Sequence, residues 1–276
     1  MTIVVTGATG PLGRHAVESL LSKGVPADQI VATGRKIEKI EDLGVRAERA
    51  DYNNTEDLKR VFDGAEKVLF VSGSEAGQRV PQHRNVVHAA TAAGVGLLLY
   101  TSIAHADTSD LILAGEHRTT EEFIKASGLP YAFLRNSWYL DNYDFRGSIQ
   151  NGVYGAAGDG RISAALRSEY AEAAAEALVR GDSRVYELGG PGFTLPELAA
   201  ELSAAAGTEV AYHGLAPEEY QKFLISVGVP ESFAVILADA DRGAAHGALE
   251  VSTADLDDLL GRPATTTAEA IRAALA

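Results

Sequence analysis

Candidate strands fall at residues 3–6, 30–33, 46–49, 68–72, 96–102 and 131–135, most of them nearly continuous in Val, Ile, Leu and Phe. Unbroken apolar runs of this kind are what parallel strands covered on both faces require. Between them, helical patterns run near 12–22, 56–62, 81–93 and 116–126. Strand–helix alternation over this span predicts an α/β fold built on a doubly wound parallel sheet. The right-handed crossover rule leaves few ways to connect it.

The rhythm changes after Arg135. Residues 136–145 are aromatic and polar, and the glycine-rich stretch 151–159 reads as a loop or hairpin. A helix is predicted over 168–179, then a strand over 185–188 and a short one near 210–212. Thr194 with Glu197, and Thr266 with Glu269, have capping-box spacing and open two further helices. Helical patterns also fall near 217–227 and 231–238. The expected organisation is a nucleotide-sized sheet domain over 1–135 and a smaller C-terminal α/β lobe over 136–276. A late strand such as 185–188 is expected to rejoin the main sheet.

Composition narrows the chemistry. The 276 residues include no cysteine. That excludes a thiol nucleophile, Cys-ligated zinc, an iron–sulfur cluster and a disulfide framework. His83 and His88 lie five apart, off one helix face, so no metal site is expected. The net charge of −14 argues against nucleic-acid binding, which needs a basic footprint. The charge is uneven. Residues 180–276 hold 15 acids against 6 bases, net −9, while 1–179 hold 23 against 18, net −5. A small polyanion is therefore less repelled by the first two thirds. The first residues lack the basic region of a signal peptide, and no apolar run reaches the roughly 18 residues of a membrane span. The expectation is a cytoplasmic protein without a membrane span.

The first strand runs directly into Gly7, Ala8, Thr9, Gly10, Pro11, Leu12 and Gly13, spaced G-x-x-G-x-x-G. Small residues let the backbone approach a pyrophosphate, and the following helix offers free N–H groups and the positive end of its dipole. The alternative is a tight strand–helix turn without a ligand. A strand before, a helix after and a second strand at the expected distance favour a Rossmann-like dinucleotide site. Where an NAD site usually places an acid, this chain has Arg35 with Lys36 beside it. A guanidinium clamps a 2′-phosphate, which an acid would repel, so NADPH is the expected cofactor. The alternative is a solvated basic helix start.

Alcohol-oxidising short-chain dehydrogenases use Tyr-x-x-x-Lys, and no tyrosine here has a lysine four residues on. Instead His117 and Glu121 occupy the i and i+4 places, and glutamate cannot supply the lysine's charge. Two readings survive. The protein holds NADPH without catalysis, as a redox sensor, or it reduces an acceptor needing little proton help. A quinone is such an acceptor: hydride gives a quinol anion stabilised by delocalisation, and ring stacking does most of the work.

The chain resembles the NmrA-like atypical short-chain dehydrogenases, and among them the bacterial type 2 NAD(P)H:quinone oxidoreductases. The resemblance covers nearly the whole sequence. It is carried by the glycine motif, by residues 74–85, by Tyr100, Thr101 and Ser102 leading to His105 and Asp107, by residues 134–139 and 156–160, and by 185–188. It departs at Gly73 and Ser74, where a serine run is more usual, and at Ser137, where glycine is common. It implies a flavin-free quinone reductase with a quinone cleft between domain and lobe. It places cofactor contacts on Gly7–Leu12, Arg35, Gly73, Ser74, Glu75, Asn136, Ser137, Trp138, Tyr139, Asp141 and Arg167. Relatives that reduce triphenylmethane dyes leave a second acceptor class open. A homodimer is a further open expectation.

Each of these residues also has a plainer role. Asn136 offers the nicotinamide amide both a donor and an acceptor, or closes a strand-end turn. Ser102 contacts the nicotinamide ribose or caps a turn. Trp138 faces cleft or core, although its place at a strand's C-terminal edge favours the cleft. Tyr139 and His117 are the candidate proton donors, His117 with a core or surface role as its alternative. Arg167 binds phosphate or joins a surface salt bridge.

Overall fold

The computed structural model describes residues 1–75 and 77–276. Ala76, inside the 74–85 stretch singled out above, lies outside the described residues. The strands are β1 (Ile3–Val5), β2 (Ile30–Gly34), β3 (Arg46–Arg49), β4 (Lys67–Phe70), β5 (Leu97–Ile103), β6 (Tyr131–Asn136), β7 (Trp138–Tyr139), β8 (Val153–Gly155), β9 (Ala164–Ala165), β10 (Val185–Leu188) and β11 (Tyr212–Gly214). The helices are α1 (Pro11–Ser22), α2 (Thr55–Phe62), α3 (Arg79–Ala93), α4 (Ile112–Ser127), α5 (Phe145–Asn151), α6 (Arg167–Arg180), α7 (Leu195–Ala206), α8 (Pro217–Ser226), α9 (Glu231–Ala244), α10 (Ala254–Leu260) and α11 (Thr267–Leu275).

The main sheet has seven strands in the order β10-β6-β5-β4-β1-β2-β3. Each neighbouring pair runs parallel. Successive side chains leave a strand on opposite faces, and both faces here are apolar. Ile3, Val5, Leu97 and Leu99 point to one side, where they pack with Leu12, Ala16, Val17 and Leu20 of α1. Alanines of α6 and leucines of α10 complete that layer. Val4, Val68, Phe70, Leu98 and Tyr100 point to the other side, against α2, α3 and Ile124 of α4. Edge strand β3 is the exception in character: Arg46, Glu48 and Arg49 leave its outer side charged, which discourages edge pairing.

Beyond Asn136 the chain serves two bodies. Helix α6, strand β10 and helix α10 build onto the sheet. A separate apolar cluster gathers Leu140, Phe145, Ile162, Phe193, Leu195 and Ile271 into the lobe. Both predicted capping boxes form, Thr194 with Glu197 and Thr266 with Glu269. The stretch 151–159 is not a hairpin. Its strand β8 pairs in parallel with β11, more than fifty residues on. Helices α5 and α10, seven residues each, were not anticipated from the pattern. No helix among the described residues is long and apolar enough to cross a membrane.

The strand order reverses between β1 and β4, because β2 and β3 extend the sheet one way and β5, β6 and β10 the other. The crevice outside the carboxyl ends of such strands is where open α/β sheets bind ligands.

Candidate cofactor site

A cavity of about 820 Å³ opens at that reversal. Its floor is the glycine loop after β1. Gly7 is left-handed at φ 62°, and a Cβ on Gly13 would lie 2.6 Å from the Gly7 carbonyl oxygen. Only glycine lets α1 start this close to the strand. Gly10 is the N-cap of α1, has no side chain to cap it, and is followed by Pro11. The helix therefore enters the cavity with its first turn uncapped, a place where an anion is stabilised by free N–H groups and the helix dipole. Ala8 is buried beneath the loop and ties it to β2, its N–H donating to the Thr33 carbonyl at 2.8 Å.

One end of the cavity is basic. Arg35, Lys36, Lys39 and Arg49 line it, with Asp51 and Glu75 as the lining acids. Gly34 brings the end of β2 against the glycine loop, since a Cβ there would meet the Thr9 side chain at 2.5 Å. Arg35 donates from Nη1 to Glu75 Oε1 at 2.6 Å, and Gln82 Nε2 donates to Glu75 Oε2 at 3.0 Å. The Arg35 hydrogen bond, then that of Gln82, holds the Glu75 carboxyl below the usual range.

The loop carrying Glu75 is fastened at Gly73 and Gly77. The Gly73 N–H donates to His83 Nε2 at 2.9 Å, and Arg79 Nε donates to the Gly73 carbonyl at 2.6 Å. The Gly77 N–H donates to Glu116 Oε1 at 2.9 Å. Burial, helped by Arg79, pushes the His83 imidazole down to about 3, so it stays neutral and keeps the acceptor that Gly73 needs.

Arg167 lines the cavity from the start of α6. Its guanidinium lies 5.1 Å from the centroid of the Tyr139 ring. Asp141 accepts the Arg167 N–H at 2.8 Å and so caps α6. Tyr139 in turn accepts Asn136 Nδ2 at 3.1 Å and packs edge-on against Tyr170. Burial raises the Tyr139 phenol, which keeps its proton at neutral pH. Asn136 Oδ1 is buried and has no hydrogen-bond partner. A buried acceptor left open at the carboxyl end of β6 fits a ligand that brings its own donor. Ser137 is used structurally, its N–H on the Leu188 carbonyl and its Oγ on the Leu249 carbonyl. Trp138 is half-buried against the lobe core.

Ala8, Asn136, Ser137, Trp138, Tyr139 and Asp141 are not among the residues that line this cavity, and Ser102 and His117 turn into the core. The Ser102 hydroxyl donates to Glu121 Oε1 at 2.7 Å inside the core. This internal bond is what the structure shows of the hydroxyl expected at the ribose. His117 is also buried, 2.7 Å from the Tyr100 hydroxyl, and does not line the cavity. Burial holds its imidazole well below its ordinary value. This position does not suit a proton donor to a ligand in the cleft, so the donor role expected of His117 is corrected to a core role. Of the residues expected from sequence, Gly7, Thr9, Gly10, Pro11, Leu12, Arg35, Gly73, Ser74, Glu75 and Arg167 come together in one cavity.

The model of the NAD(P)H-binding family matches residues 7–183, well over half of the sequence. The chain belongs to the NAD(P)H-binding family. Within it, the chain is 46% identical to Quinone oxidoreductase 2 of Escherichia coli, over 98% of this chain and 97% of that protein. The solved structure of an NADPH-dependent quinone oxidoreductase from Escherichia coli, complexed with NADPH, superimposes with a TM-score of 0.96 at 44% identity and full coverage of both chains. The structure of a Citrobacter sp. triphenylmethane reductase complexed with NADP(H) gives 0.94 at 38% identity, over 99% of this chain and 100% of that one.

The cavity contains residues that the sequence alone did not single out. Lys39 and Arg49 extend the basic end, and Val71 and Ser72 line the wall after β4. Spacing from the glycine motif could have found Arg49, since it closes the third strand. The fasteners Arg79 and Glu116 carried no comparable signal, because one opens α3 and the other sits inside α4. The sequence places Arg135 at a strand end and within the 134–139 stretch of the resemblance, with no sign of a further role. Arg135 is a buried hub, donating to both oxygens of Glu121, to Glu187 and to Asp107 at 2.7 to 3.0 Å. Glu121 is fully engaged, by Ser102, Arg135 and Lys125. Among the described residues, no group of three or more His, Asp or Glu is placed to hold a metal ion.

Proposed function

We propose that this chain is an NADPH-dependent quinone reductase that works without flavin. The kinship to the Escherichia coli quinone oxidoreductase, 46% over nearly the full length of both chains, carries the reading. NADPH supplies the hydride when bound. The uncapped start of α1 receives the pyrophosphate, and Arg35 with Lys36 and Lys39 receives the 2′-phosphate. Asn136 offers its open Oδ1 to the nicotinamide amide. Tyr139, held protonated by burial and flanked by Arg167, faces the acceptor and is the proton source in this reading. The lobe built around Leu140, Phe145, Ile162 and Phe193 forms the acceptor side in this reading. Positioning dominates the catalysis in this reading, because no tyrosine has a lysine four residues on to form an acid–base pair, and Glu121 is tied up by Ser102 and Arg135.

A second acceptor class has specific support. The Citrobacter sp. triphenylmethane reductase shares the whole fold at 38% identity, and the acidic C-terminal third suits a cationic dye. Steady-state oxidation of NADPH by pure protein, with no flavin added, against matched panels of quinones and dyes decides between them. Turnover with quinones supports the main reading. Turnover with dyes alone moves the assignment to the second, and turnover with neither leaves a cofactor-binding sensor.

A further inference from the structure

We propose that Glu75 sets the balance between NADPH and NADH by competing with the 2′-phosphate for Arg35. The proposal rests on the assignment of the 2′-phosphate to Arg35 made above. Arg35 and Glu75 line the same end of the cavity, and their side chains already meet there at 2.6 Å. A phosphate arriving at Arg35 meets a carboxylate already holding one of its amino groups. NADPH has to displace that carboxylate or share the guanidinium with it. NADH brings no phosphate and leaves the pair intact. A carboxylate at this end can also accept a hydrogen bond from the ribose 2′-hydroxyl, as acids in this part of a dinucleotide site commonly do. The site thus has two readers side by side, a base for the phosphate and an acid for the hydroxyl.

The placement of Glu75 is built into the surroundings. Gln82 holds its second oxygen at 3.0 Å. Its loop is pinned on one side at Gly73 by His83 and Arg79, and on the other at Gly77 by Glu116. Asp51, the other lining acid, is engaged elsewhere, accepting from the backbone and side chain of Asn53. Glu75 is therefore the lining acid that opposes Arg35. Both partners are substantially exposed, so the competition is a modest, salt-sensitive effect.

The test is a titration of NADPH and NADH into the wild-type chain, Glu75→Gln, Arg35→Gln and the double variant, at one fixed ionic strength. Gln keeps the length and the hydrogen-bonding oxygen of Glu75 and removes its charge. Glu75→Gln is expected to raise the preference for NADPH roughly three- to tenfold, by tighter NADPH and unchanged or weaker NADH. In the Arg35→Gln background the same change is expected to add little, since the competed group is gone. A preference within about twofold of wild type in Glu75→Gln, or weaker NADPH, overturns the proposal while Arg35→Gln still lowers the preference. If Arg35→Gln leaves the preference unchanged, the 2′-phosphate assignment itself fails, and the proposal with it.

Discussion

At the scale of single residues, the proposed function puts the nucleotide chemistry on the glycine loop and Arg35, which line one cavity. Gly13→Ala puts a Cβ within 2.8 Å of backbone atoms of Gly7 and Ala8, which cannot give way as a side chain can. We expect a loss of about 2 kcal/mol or more in stability and a collapse of NADPH binding, measured by thermal melting and cofactor titration. Arg35→Asp should weaken NADPH roughly ten- to a hundredfold and NADH by far less. An unchanged NADPH/NADH preference in that variant would remove the 2′-phosphate from Arg35. These residues were legible because their physics is local: a strand, a tight turn and a charge at a fixed spacing. Asn136 was legible as a polar group at a strand end, but its open oxygen was not, since that depends on what packs around it. His117 misled for the same reason. Its type suggests a proton donor, and only the packing of α4 on β5, with Tyr100 against its ring, shows that it is core.

At the scale of elements, the Arg135–Glu121 pair joins β6 to α4 and stiffens the strand end that presents Asn136. Both side chains are almost fully buried. The pair and its hydrogen bonds to Glu121 and Glu187 raise the already high pKa of the guanidinium against the opposing cost of burial. Arg135→Met strips Glu121 of its bidentate partner and leaves the buried carboxylate with the Ser102 hydroxyl and Lys125 Nζ at 3.8 Å, with an expected loss of up to roughly 3–5 kcal/mol in urea unfolding. The double variant with Glu121→Leu should recover much of that loss. A single variant as stable as wild type would show that the pair is not a strut. The strands of the sheet were readable from their apolar runs, and the capped helices from their boxes. Helix α10 had a signal in Leu256, Leu259 and Leu260, spaced i, i+3 and i+4, but seven residues give too short a run to stand out. The parallel pairing of β8 with β11 had none, because it joins segments far apart in the chain.

At the scale of the molecule, charge and burial make stability depend on pH. Asp241 on α9 is driven up by burial from 3.8 to about 6, against the opposing hydrogen bond from the Ala156 N–H. Tyr143, Tyr212 and Tyr220 are the titratable groups that sense it. The folded state binds this proton more tightly than the unfolded chain. Its contribution is therefore favourable at low pH and is lost as pH rises from about 4 to about 6. Asp241→Asn keeps the acceptor for Ala156 and removes the charge. It should stabilise the protein at pH 7 by at most about 3 kcal/mol, with a gain that shrinks towards pH 4. A gain independent of pH would contradict this assignment. The net charge of −14 is no obstacle to a polyanionic cofactor, because the cavity is lined by Arg35, Lys36, Lys39 and the N-terminus of α1.

The most direct test of the whole account is a single turnover. Pure chain, free of flavin by its absorption spectrum, is loaded with one equivalent of NADPH and mixed rapidly with excess quinone. The account predicts that the NADPH absorbance decays completely and that one quinol forms for each NADPH lost. Persistence of the NADPH signal with every quinone tried, or decay only when flavin is added, would contradict it.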